Sequence, residues 1–196
     1  MKLVERKRKD ILDAAVREFR EQGFAAARVN RIAELAGVSK RTLYKHFESK
    51  DVLFAAIIDI LMEENAARPK LPFRADVPLK AQLTTAVKDY IAHLTGDEYM
   101  ALNRLVLSEF LRNQDLARAF FAKSAAHDIP VSGLIAEAMA SGDLRKADPV
   151  FAATQLLAMV KSFLFWPQFL LGEPGALDTD AVLDDCVDMF LAHYAK

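Results

Sequence analysis

Eight side chains between positions 39 and 50 carry most of the chemistry this sequence offers. Lys40, Arg41 and Lys45 are long cationic donors, Ser39, Thr42 and Tyr44 bring hydroxyls, and His46 and Lys50 complete the set. Cations and hydroxyls this close together suit a polyanion: ammonium and hydroxyl groups reach phosphates, and a guanidinium can address a base edge with two parallel bonds. Catalysis has no comparable support. The chain has no GxGxxG, P-loop, HExxH or GxSxG and no paired cysteines, and its four histidines, at 46, 93, 127 and 193, are scattered. No second His, Cys or acidic cluster stands at ligand spacing beside His46, which sets a metal role aside. The expectation is a protein that is not an enzyme and needs no cofactor.

These donors need a scaffold, and Arg31–Lys50, RIAELAGVSKRTLYKHFESK, supplies one. Ile32, Ala33, Leu35, Ala36, Val38, Leu43 and Phe47 can close a small core. Gly37 falls just past the first helix, where positive φ is cheap and a helix can stop. Ser39 is placed to cap the next helix. Ser49 is placed to cap a third, so that Lys50 lies at a helix start with free N–H groups that favour an anion. Helix, short Gly-containing turn and a second helix studded with donors is the layout of a helix-turn-helix, whose second helix fits a major groove.

The run A-G-V-S-K-x-T-L-Y-K-H-F-x-S-K-x-x-L-F, beginning at Ala36, resembles the DNA-binding signature of the TetR family of transcriptional regulators. The resemblance covers about the first fifty residues. It implies that Thr42, Tyr44 and His46 hold the phosphate backbone, that Lys50 meets a phosphate, and that Lys40, Arg41 and Lys45 are free to reach base edges. The chain departs from the family where a Thr or Ser usually caps the second helix. Here stand Ala27 and Arg28, so Asn30 is the candidate cap of a slightly later helix, and Arg28 replaces a neutral phosphate contact with a charge-assisted one. Arg41 stands where the family often has Gly. It is the first candidate for a bidentate contact to guanine, beside phosphate contact or a solvated side chain.

Charge supports the same division of labour. The net charge of −1 hides an asymmetry: residues 1–50 hold thirteen Lys/Arg against seven Asp/Glu, and residues 51–196 thirteen against twenty. Only the first part suits a polyanion. The lead-in at 2–9, KLVERKRK, is either an arm on the DNA or a solvated terminus.

At 53% hydrophobic, with seven Gly and seven Pro in 196 residues, the chain reads as all-α with a sizeable core. About nine helices are expected. Residues 1–50 form the helix-turn-helix domain, 51–65 a connecting helix, and 66–196 a helical domain for effector binding and dimerisation. The first helix ends at Gly23, with Phe24 folding back on it; Pro69, Pro72 and Pro78 mark a linker; Asp115–Ala140 is interrupted at Pro130. Asp148–Pro149 starts a helix running to Trp166, and the last helix spans roughly Thr179–Tyr194. No apolar run approaches a membrane span, residues 1–10 are too charged for a signal peptide, and the lone Cys186 cannot form an internal disulfide. A cytoplasmic protein without membrane attachment is expected.

In the C-terminal part, GDLRKADPVFA with the later FxFWP resembles the C-terminal domain of an AefR-like branch of the family. The resemblance implies a homodimer through the last two helices and a ligand cavity. One helix-turn-helix reads only a half-site, and a two-fold dimer reads a palindrome. Aromatic and Met side chains with a few polar groups suit a small apolar or aromatic effector. The candidate ligand residues are Tyr90, His93, Tyr99, Asn103, Phe110, Phe121, His127, Phe163 and Trp166, and each aromatic is also readable as ordinary core. The leading expectation is thus a ligand-responsive repressor on a palindromic DNA operator. An activator or a ligand-independent DNA-binding regulator is the alternative.

Overall fold

The computed structural model describes residues 3–66, 71–124 and 129–196, so expectations at His127 and at Pro69 fall outside it. Among the described residues every regular element is a helix: α1 Leu3–Ala26, α2 Val29–Leu35, α3 Lys40–His46, α4 Lys50–Ala66, α5 Leu79–Leu94, α6 Asp97–Phe110, α7 Gln114–Ser124, α8 Ser132–Ser141, α9 Pro149–Leu164, α10 Trp166–Leu171 and α11 Thr179–Tyr194. Eleven helices replace the expected nine because two expected rods are each divided. Val131, after Pro130, takes a left-handed φ of 65° and starts α8 afresh. Phe165 separates α9 from α10, and Pro167, which can donate no backbone bond, lies in the first turn of α10.

By contacts the chain forms two compact units, one of Met1–Ala67 with Ala101–Ser124, the other of Arg68–Met100 with Ala125–Lys196. The chain passes from the second to the first within α6.

In the first unit, α1 packs on α2 and α4, and α2 on α3. The apolar stripe of α1, Ile11, Leu12, Ala15 and Phe19, is buried with Ile32 and Ala33 of α2, Leu43 of α3, Phe47, and Leu53, Phe54, Ile57 and Leu61 of α4. Burial of one such side chain contributes about 1.5–3 kcal/mol. Gly23 breaks the helical path of α1 (φ 74°, ψ 159°), and the chain turns so that Phe24 lies 5.4 Å from Phe19 and 4.8 Å from Phe54, ring centre to ring centre. Lys123 of α7 pairs with Asp59 of α4 at 2.5 Å.

In the second unit, α9 packs on α5, α8, α10 and α11, and α5 also packs on α11. Ala152, Ala153, Leu156, Leu157 and Val160 line the buried face of α9, and Leu183, Cys186, Val187 and Phe190 that of α11. Asp148 caps α9 by accepting from the amides of Val150 and Phe151 at 2.8 and 3.2 Å. Asp178 caps α11 through Ala181 N at 2.8 Å. Lys80 bridges Asp184 and Asp188 at 2.8 Å each, and both carboxylates hold its ammonium above the usual lysine range. An antiparallel bridge joins Leu144 to Ala195, where Arg145 donates to the His193 and Tyr194 carbonyls.

Candidate nucleic-acid interface

Local signals build the helix-turn-helix as its sequence suggests. Gly37 adopts φ 64° after α2, a conformation that would strain a residue with a Cβ. Ser39 Oγ then accepts from Thr42 N at 3.1 Å and lies 2.8 Å from Thr42 Oγ1. That capping bond holds the start of α3 and leaves both hydroxyls on its rim. Leu43 and Phe47 are buried, which fixes the roll of α3 and turns the remaining face outward. Lys40, Arg41, Tyr44 and Lys45 are exposed, while Thr42 and His46 are half-buried. The Lys40 ammonium lies 5.9 Å from the Tyr44 ring. None of Lys40, Arg41 and Lys45 forms an ion pair among the described residues, so three cations on two turns of helix are available to an external anion. Arg8, in the basic lead-in, lies over the Phe47 ring at 5.0 Å.

The departures at 27–30 find a different answer from the expected one. α2 begins at Val29, so Asn30 lies inside it rather than at its cap. Arg28 occupies the cap position with no side-chain capping bond, and its guanidinium is exposed. Its amide donates instead to Glu18 Oε1, 3.1 Å away on α1. Glu18 is only 4% exposed, so a buried side chain ten residues upstream takes the amide of the cap residue itself, the N–H that a capping box gives to a Glu or Gln, while no side chain caps the first turn of α2. No pattern in the sequence announced Glu18, because the partner is set by helix packing. Glu18→Ala is expected to cost about 1–2 kcal/mol of stability, read as a lower denaturation midpoint. Glu18→Gln, which keeps an acceptor oxygen, is expected to recover most of it; equal losses in both variants would show that the hydrogen bond is not what matters.

Lys50, expected at a phosphate, makes its hydrogen bonds within the protein. Its ammonium donates to the carbonyls of Phe24 at 2.6 Å, Ala25 at 3.0 Å and Ala27 at 3.3 Å, and sits 4.7 Å from the Phe24 ring. All three of its N–H donors have carbonyl acceptors in the protein.

The candidate ligand residues are shared between the two units. His93 of α5 and Tyr99 of α6 are in ring contact at 4.3 Å in the second unit, where Tyr90 is half-buried. Asn103 and Phe110 belong to the first unit, where Phe110 lies 4.9 Å from Phe120 and 6.3 Å from Phe121. Phe121 is exposed. Phe163 and Trp166 are 47% and 41% exposed, and with Val150, Phe151, Leu170 and Leu171 they give α9 and α10 an outward stripe rich in apolar side chains, in which Thr154, Gln155 and Ser162 are also exposed. Lys161 sits beside that stripe, 5.6 Å from the Phe165 ring and 6.0 Å from that of Trp166, and burial lowers its pKa.

A well-seated second helix with unpaired cations and an outward apolar stripe on later helices define a helix-turn-helix protein with an all-α companion domain. Comparison with known proteins names the family. Residues 11–57 match the family model of bacterial regulatory proteins of the tetR family, and residues 81–196 match that of the AefR-like transcriptional repressor C-terminal domain. The HTH-type transcriptional regulator RutR of Escherichia coli (strain K12) is 35% identical over 162 residues, 78% of this chain and 74% of RutR. A TetR family regulator from Pseudomonas syringae pv. tomato superposes with a TM-score of 0.79 at 34% identity, covering 96% of both chains. The flavonoid-responsive regulator FrrA superposes at 0.78 with 29% identity, over 97% of this chain and 98% of its own. The chain belongs to the TetR family of transcriptional regulators, with a C-terminal domain of the AefR-like kind, and is a DNA-binding protein. Among the described residues no helix is long and apolar enough to cross a membrane.

Proposed function

We propose that the protein is a ligand-responsive repressor that binds a palindromic operator as a homodimer. Residues 1–50 read the DNA, 51–65 connect, and 66–196 bind effector and dimerise. The observation that carries the DNA reading is the outward face of α3, where Lys40, Arg41, Tyr44 and Lys45 are exposed around a buried Leu43. Arg41 and the two lysines address bases; Arg28, Ser39, Thr42, Tyr44 and His46 hold backbone phosphates. Support for the dimer, which pairs α9 and α11 with their copies, is the set of large apolar side chains these helices leave exposed, Val150, Phe151, Phe163 and Met189, with Trp166 just past the end of α9. The effector reading rests on the relatives: FrrA is flavonoid-responsive, and the C-terminal match is to a repressor. A small apolar or aromatic molecule near Tyr90, His93 and Tyr99 suits that chemistry. Its binding shifts the population toward a form in which α4 carries the two heads out of step with successive grooves.

Selection of bound duplexes from a random pool tests the reading. A palindrome with two equal half-sites is the expected product, and an asymmetric or unselective pool would contradict it. Tyr44→Phe is expected to weaken operator and random duplex alike, by about 1 kcal/mol, because a phosphate bond carries no sequence information. A loss confined to the operator would instead make Tyr44 a base reader.

A further inference from the structure

The feature that DNA binding in general does not account for is the threefold anchoring of the Lys50 ammonium. After Gly23 breaks the helical path, the turn 24–28 presents carbonyls that lack the usual helical partners. Two groups from outside the turn satisfy it from opposite chemical sides. Glu18 accepts the Arg28 amide, and Lys50 donates to Phe24, Ala25 and Ala27. Lys50 is the first residue of α4. The turn it grips is the one that leads into α2 and thence α3. The helix-turn-helix is therefore joined to α4 twice, once through the chain at Phe47–Ser49 and once through this ammonium. The Phe24 ring lies under the same ammonium and against Phe54, one turn further along α4. Moving the ammonium out to a phosphate would break three hydrogen bonds, two of them part-buried, and uncover that ring.

We propose that Lys50 is a positioning residue, which locks the first turn of α4 to the α1–α2 turn and so sets where α3 stands relative to α4, and that it does not neutralise an operator phosphate. The inference rests on the reading of α3 as the DNA-recognition helix. Such a lock makes the head and the start of α4 turn together, so a displacement of α4 is delivered to α3 without being lost in the turn.

The test uses full-length protein and its variant Lys50→Met, which keeps the stem and removes the donors. Each is titrated with the operator obtained by selection and with a random duplex of equal length, over a series of salt concentrations. For Lys50→Met, operator affinity is expected to fall by about tenfold while random-duplex affinity changes by less than about twofold, with the salt slope unchanged. Hydrogen exchange at the amides of residues 24–28 is expected to accelerate. Equal losses on both duplexes, with the slope falling by about one per subunit, would make Lys50 a phosphate ligand and overturn the proposal. Should the variant fail to fold, the wild-type protein decides. With 15N-labelled lysine, the Lys50 ammonium is expected to keep slowly exchanging protons and the same shift with and without operator; a coupling to phosphorus in the complex would overturn the lock. If wild-type protein shows no preference between operator and random duplex, the recognition reading itself fails, a result separate from any behaviour of the variant.

Discussion

Arg41→Ala lowers affinity for the selected operator by about 1–3 kcal/mol, roughly fivefold to 150-fold, and relaxes the base preference at one position in each half-site. The expectation follows from where α3 holds this side chain. Arg41 is in the first turn of a helix whose roll is fixed by buried Leu43, and it is exposed without an ion pair among the described residues. A guanidinium so placed has its five donors free for the O6 and N7 acceptors of a guanine. The measurement is a pair of selections from random duplexes, one with wild-type protein and one with the variant. A uniform loss over all sequences would assign Arg41 to the phosphate backbone and leave base reading to Lys40 and Lys45.

Phe163→Glu converts the protein to a monomer at micromolar concentration and weakens operator binding by about a hundredfold. Phe163 is 47% exposed in the single chain, between Phe151 one way and Trp166 the other, so it contributes little to the core of its own subunit. The variant is therefore expected to keep its helical content. In a two-fold interface the same substitution acts twice, and burying an unpaired carboxylate among aromatic rings costs several kcal/mol. The monomer offers the operator one head, and the second half-site is lost with the linkage between the two. Light scattering reads the mass and operator titration the affinity. A variant that remains dimeric would move the interface away from α9.

What the sequence conveyed about this protein was local. Gly23 with Phe24, Gly37 with Ser39, Asp148 with Pro149 and the start at Thr179 are signals carried within a few residues, and each appears in the structure where those residues place it. The charge split and the motif around Leu43 were legible for the same reason. The partners at the turn 24–28 were not. Glu18 reaches Arg28 across ten positions and Lys50 reaches Phe24 across twenty-six, and both pairings depend on how α1 meets α2 and α4. Propensity also missed the division at Phe165, a residue that caps one helix and precedes another without any glycine to mark it. Aromatic density did not say which rings would be buried: Tyr99 and Phe110 are, whereas Phe121, Phe163 and Trp166 are exposed. Chain order alone does not say which side of a helix a ring will take when both sides are apolar.

Trp166 is the sole tryptophan in the sequence. It stands at the junction of α9 and α10, 41% exposed, edge-on to Phe165 and Phe169 and beneath the Lys161 ammonium. Indole emission is sensitive to water and to a nearby charge, and here all of it comes from one place. The protein thus carries an intrinsic optical probe at the edge of its apolar stripe. Association of two chains, or a small molecule settling against those rings, can be followed in dilute solution by the colour and intensity of that single fluorophore, without a label.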